Sequence, residues 1–135
     1  MKKKHSQWLL ASGAIATLYV LYLAFYYGDL VLTSEGIARE TALTLTAFVA
    51  PHFLFTAIAV VLNWFAFAMD MRPLALGAGV LYIIGCLAGI LYIPMNLIVL
   101  VSAVLSFIGF VKLKQINNLN TPNWLGVFKS NNFLW

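Results

Sequence analysis

Four apolar runs separated by short polar breaks organise this chain. An α-helix advances about 1.5 Å per residue, so roughly 20 apolar residues cross a hydrocarbon core. Residues 8–27 have that length, with Trp8 at one end and Tyr26 and Tyr27 at the other as interfacial aromatics, and Gly28-Asp29 breaks the run. Counting back from Met69 places a second span at 50–69. Before it, Ser34 suits a helix N-cap and Glu35 the first turn, where a carboxylate meets the positive end of the helix dipole. Residues 34–49 then read as a helix with Glu35, Arg39, Glu40 and Thr44 towards water and Ile37, Leu45 and Phe48 towards lipid. Pro51 lacks an amide hydrogen, so the pattern predicts an outer-surface amphipathic helix that kinks into span two. One long tilted helix is the competing reading.

Asp70-Met71-Arg72-Pro73 reads as a tight turn, with Pro73 suited to the first turn of the next helix. Residues 74–111 are almost unbroken apolar sequence, about two crossings long, and must fold back. Turn character occurs at Tyr92-Ile93-Pro94-Met95-Asn96, which divides the stretch into spans 74–92 and 95–111. So apolar a turn is expected to sit shallow in the interface or beneath a partner. From 112 to 135 the chain reads as a tail. It comprises a linker with Asn117, Asn118, Asn120, Thr121 and Pro122, then an aromatic segment of Trp124, Phe128, Phe133 and Trp135 for the inner interface. The expected fold is all-α: one transmembrane domain over 1–135, with four transmembrane helices and an outer amphipathic helix before the second span.

The charges orient this array. Lys2, Lys3, Lys4, Arg72, Lys112, Lys114 and Lys129 fall on one side of a four-span thread, and Arg39 alone falls on the other, beside Asp29, Glu35 and Glu40. Basic residues favour the cytoplasmic side, which predicts both termini inside and a multi-pass protein of the cell membrane. Only 9% of residues are charged against 63% hydrophobic, whereas soluble domains carry about 25% charged residues. The net charge of +4 is therefore read as topogenic anchoring and contact with lipid headgroups, without a nucleic-acid partner. Lys2–Lys4 before an apolar run imitates a signal peptide. However, 8–27 is long for one and ends in bulky Phe25, Tyr26 and Tyr27 without a small-residue cleavage pattern, so it is expected to stay as a span.

Candidate chemistry concentrates on span two. His52, Thr56, Ala59, Asn63, Ala66 and Asp70 recur at spacings of four and three, on one helical face. Polar atoms in hydrocarbon must find partners, so this polar stripe is either a hydrated track gated by His52 or hydrogen-bonding glue between helices. Span one carries Tyr19, Tyr22 and Tyr26 on a matching stripe with Ser12, an aromatic cleft that could hold a lipid or isoprenoid tail, with Tyr19 or Tyr22 against Asn63 or Thr56. Ala75, Gly79, Gly85 and Gly89 on span three, with Ser102, Ser106 and Gly109 on span four, are small residues at packing intervals, for use within the chain or between copies.

Enzymatic motifs are not found. The membrane holds no carboxylate pair, Cys86 is the single cysteine, His5 and His52 sit at opposite ends for haem, and Met69-x-Met71 is too short for copper. A Walker loop and a nucleophile elbow are also missing, and no metal or cofactor is expected. The opening of span one, Leu9-Leu10-Ala11-Ser12-Gly13-Ala14-Ile15-Ala16-Thr17-Leu18, resembles that of the GtrA-like polyprenyl-phosphate-sugar flippases. Asn63-Trp64-Phe65 lacks the basic residue found after span two in that family, and the chain is not assigned to it.

Three roles follow in order of preference. The first is a non-enzymatic accessory, immunity or assembly subunit packed against a larger membrane protein. The second is a small homo-oligomeric transporter or channel built on the His52–Asp70 stripe. The third is a lipid- or isoprenoid-binding protein.

Overall fold

The computed structural model describes residues 5–90 and 93–120. They form four helices: α1 (Gln7–Thr33), α2 (Gly36–Met69), α3 (Arg72–Ala88) and α4 (Ile93–Asn120). Each packs on its neighbour in sequence and α1 closes against α4, which makes a four-membered antiparallel ring. α1, α2 and Asn96–Asn117 of α4 are each long and apolar enough to cross a membrane, while α3 is apolar but shorter. Leu18, Phe25, Phe48 and Phe65 point outwards, as the perimeter of a helical membrane protein requires.

Local chemistry sets the helix ends. α2 stops at Asp70, which takes the left-handed conformation (φ 53°, ψ 33°) that commonly ends helices. α3 follows immediately because Pro73 occupies its first turn, where no amide hydrogen is needed. Pro94 sits in the first turn of α4 for the same reason.

Four expected boundaries shift. α1 runs on through Gly28 and Asp29 to Thr33 instead of breaking after 27. Gly36–Met69 is one helix of 34 residues, about 51 Å long, with Pro51 inside it, so the amphipathic segment and span two are continuous. The amide that Pro51 lacks costs one backbone bond, which a helix packed among others tolerates. α3 ends at Ala88 instead of 92, because Gly89 departs from helical geometry there. α4 begins at Ile93, inside the expected turn, and runs past 111 through Lys112 and Lys114 to Asn120, so the first part of the tail is helix. The expected turn residue Tyr92, the lysines Lys2–Lys4 and Lys129, and Trp124, Phe128, Phe133 and Trp135 lie outside the described residues.

The core has two layers. Ala16, Tyr19, Leu23, Ala59, Val60, Ala78, Tyr82, Val99 and Ala103 fill the middle. Leu9, Ala66, Ala75 and Leu113 fill the end where α2 turns into α3, called the basal end below. Small residues bring the backbones together at each interface. A methyl group on Gly13 would stand 2.8 Å from Asn63 of α2, on Gly79 3.0 Å from Phe107 of α4, and on Gly109 2.7 Å from Leu9 of α1. The tightest case is Gly89, where it would stand 2.6 Å from His52 Nδ1 and 3.0 Å from Asn96 Oδ1.

Gly89→Ala is therefore expected to destabilise the bundle by about 1–3 kcal/mol, the usual penalty of overpacking. Gly28→Ala, with nothing within 4 Å of the added carbon, should be neutral or slightly stabilising. Thermal unfolding of the two variants in the same detergent checks the contrast.

Candidate functional site: a buried polar seam

The polar stripe of α2 faces the middle of the ring. His52 is 2% exposed, Thr56 and Asn63 are fully buried and Asp70 is 7% exposed, and Ala59 and Ala66 between them are also inaccessible. Withdrawn from water, each polar atom needs a partner on a neighbouring helix.

His52 is the upper node. Its Nδ1 lies 2.7 Å from the Gly85 carbonyl oxygen and its Nε2 lies 2.8 Å from the Tyr19 hydroxyl. A carbonyl can only accept, so Nδ1 carries the hydrogen. In the neutral ring Nε2 then accepts from the Tyr19 hydroxyl, and one imidazole ties α1, α2 and α3 together. Thr56 returns its hydroxyl to the His52 carbonyl at 2.8 Å, which leaves the small Gly85 face free to close on it. Beside this node Asn96, from the first turn of α4, donates to the Cys86 carbonyl at 3.1 Å and the Gly89 carbonyl at 2.5 Å. It thereby supplies the terminal carbonyls of α3 with the donors that a helix end lacks.

Asn63 is the lower node. Its amide donates to the Leu9 carbonyl of α1 at 2.8 Å, and its oxygen lies 3.3 Å from the Ser106 hydroxyl of α4. Ser106 also reaches the Ala75 carbonyl of α3 at 2.9 Å. A hydroxyl has one hydrogen, so the shorter contact to Ala75 is the stronger claim on it. Around Asn63, then, all four helices meet. Between the nodes Ser12 of α1 donates to the Ser102 carbonyl of α4 at 2.8 Å. At the basal end His5 Nδ1 lies 3.1 Å from Asp70 Oδ1, and Asn117 donates to the Asp70 carbonyl at 3.3 Å. Asp70 thus caps α2 and meets the start of α1 and the end of α4.

The stripe residues His52, Thr56, Asn63 and Asp70 are brought onto one buried seam. The three tyrosines are not brought together. Tyr19 turns inwards and meets His52 instead of Asn63 or Thr56, whereas Tyr22 and Tyr26 stay half-exposed and stack on each other at 5.9 Å. Gly79, Gly85, Gly89 and Gly109 each touch another helix of the same chain, and Ala75 and Ser102 offer their carbonyls to it. Sequence reading passed over Gly13 and Asn96. Gly13 carries a legible signal, a small residue beside Ser12 on the face shared with Ala16, while Asn96 was absorbed into the expected turn. Among the described residues, no group of three or more His, Cys, Asp or Glu is placed to hold a metal ion.

An apolar groove of about 370 Å³ lies beyond the upper node, between α1 and α2. Leu23, Tyr27, Val31, Thr46, Val49 and Phe53 are among its walls. On the seam, His52, Asn63 and Ser12 each bond to a neighbouring helix. Such an arrangement fixes helix register. The Tyr82 hydroxyl and Asn96 Oδ1 are buried without a hydrogen-bond partner among the described residues.

A double-mutant cycle between Tyr19→Phe and His52→Ala is expected to return a coupling of about 0.6 kcal/mol, and no more than about 1.7, the range of interhelical hydrogen bonds in membranes. Reversible unfolding in mixed micelles measures it. Additive single-variant effects would mean that the imidazole does not link these helices.

No family model matches the chain, and no curated protein or solved structure shows significant similarity to it.

Proposed function

We propose that this chain is a small non-enzymatic integral membrane protein that serves as an accessory, immunity or assembly subunit of a larger membrane protein. In this reading it lies in the cell membrane with four crossings and both termini in the cytoplasm. The charge pattern supports that orientation, since the basal end carries Arg72, Lys112 and Lys114 while the α1–α2 connection carries Asp29, Glu35 and Glu40.

One observation carries the choice of role. α1 and α2 continue well past the point where α3 stops, and their shared tip exposes apolar side chains among charges. Leu32 is 86% exposed and Ile37 is 84% exposed, on either side of the connection between the helices. If Tyr22 and Tyr26 mark the outer interface, Leu32 stands roughly 9 Å beyond it, and the described residues leave it uncovered. Along residues 36–49 only Ala42 and Val49 are buried. A two-helix projection of this kind, apolar at its tip and acidic around it, suits docking against another membrane protein. The transporter reading is weaker because His52, Asn63 and Ser12, on the seam that would carry cargo, spend donors on binding the helices to one another.

Extracted from its native membrane in mild detergent, the protein is expected to run with one defined partner at fixed stoichiometry in native mass measurement. Leu32→Glu with Ile37→Glu should release that partner at unchanged helical content. A clean monomer or homo-oligomer, or full retention by the double variant, would count against the assignment. Orientation is read separately on a Cys86→Ala background. A membrane-impermeant maleimide should label Glu35→Cys in intact cells and Lys114→Cys only after permeabilisation, and the reverse order would invert the topology.

A further inference from the structure

A second cleft, of about 440 Å³, opens at the basal end between the first turn of α1 and the last turns of α4. Its walls are His5, Ser6, Gln7 and Trp8 on one side and Lys112, Gln115 and Ile116 on the other. Ser6 is the N-cap of α1, the place where a serine normally turns its hydroxyl onto a backbone amide of the first turn. Here it makes no such bond. Ser6 is 1% exposed, and its buried hydroxyl has no hydrogen-bond partner among the described residues. The first intrahelical amide bond of α1 is Leu10 to the Ser6 carbonyl at 3.3 Å, so the amides of Gln7, Trp8 and Leu9 precede the helical ladder and have no carbonyl within the helix to serve.

These features converge on one ligand chemistry. A helix start supplies free amides and the positive end of a dipole. The buried hydroxyl supplies a donor in want of an acceptor, and Lys112 supplies a full positive charge across the cleft. Among the described residues the ammonium of Lys112 makes only a long contact, 3.5 Å to Gln115 Oε1, from which it can turn to an anion. The nearby carboxylate of Asp70 is fronted by His5, which binds it at 3.1 Å. Three further lysines, Lys2, Lys3 and Lys4, directly precede His5 in the sequence. We propose that the cleft between Ser6 and Lys112 binds a phosphate group, as presented by an anionic phospholipid headgroup at the basal face of the bilayer. Trp8, 45% exposed at the rim, lies where the glycerol backbone of such a lipid would pass. The site rests on the membrane reading above but is independent of any protein partner.

The test uses the full chain in detergent, titrated with dioleoylphosphatidylglycerol or with inorganic phosphate and followed by native mass spectrometry. One saturable lipid adduct is expected. Lys112→Gln should weaken it about tenfold, as the loss of a charge-assisted bond does, and Ser6→Ala about threefold. Lys114→Gln, an exposed charge outside the cleft, should change it less than about twofold. Phosphate binding with the same order among the variants would show that the site also takes the free anion. Lipid binding alone would assign it to the headgroup. Binding of either probe that never saturates, or an equal loss from Lys112→Gln and Lys114→Gln, would overturn the site. Matching circular dichroism of the variants separates a lost site from a lost fold.

Discussion

A polar group carried into hydrocarbon has no water to return to, and the folded chain is arranged around that constraint. His52 illustrates it most directly. Its two ring nitrogens meet a carbonyl of α3 and a hydroxyl of α1 at 2.7 and 2.8 Å, so the imidazole is satisfied only when three helices hold one register. Asn63 repeats the requirement lower down through its bond to Leu9 of α1, and Ser106 of α4, beside it at 3.3 Å, bonds to Ala75 of α3. Apolar packing alone discriminates poorly between helix and lipid, because lipid tails are as apolar as leucine. Directional bonds supply the discrimination, and small residues such as Gly85 and Gly89 allow the backbones near enough to make them.

The same constraint explains why α2 passes through Pro51 as a single helix. A proline frees one carbonyl and bends a helix that has nothing to hold it. Directly after Pro51, however, His52 bonds to both α1 and α3, Thr56 packs against Gly85 of α3, and Val49 is buried just before it. The segment on the far side inherits its direction from these contacts. Local sequence favoured a break there, and tertiary bonding outweighed it.

Much of this was legible along the chain. The period of His52, Thr56, Asn63 and Asp70 announced one face, and polarity within an apolar run announced that the face would be covered. What could not be read was the partner of each atom. Tyr19 and Tyr22 share a stripe and a side chain, yet one is 4% exposed and the other 50%, because the width of the interface cuts between them. Helix ends were also blurred. Ile93, Pro94 and Asn96 carry turn chemistry that equally suits the first turn of a helix, and Asn96 is spent on capping α3. The empty first turn at Ser6 has no sequence signature, since an N-cap serine reads the same with its hydroxyl engaged or idle.

The unequal helix lengths have a further consequence for the surrounding bilayer. α3 has 17 residues, a wall of about 25 Å, while a typical hydrocarbon core is about 30 Å thick. α1 and α2, with 27 and 34 residues, exceed that thickness on the opposite flank. In the four-crossing arrangement proposed above, lipid beside α3 thins or the whole body leans, and either response costs fractions of a kcal/mol for each ångström of mismatch. Four helices of equal length would present the same height all round. In that arrangement the bundle presents a low side and a high side, and with them a preferred lean and a preferred neighbourhood of thinner membrane.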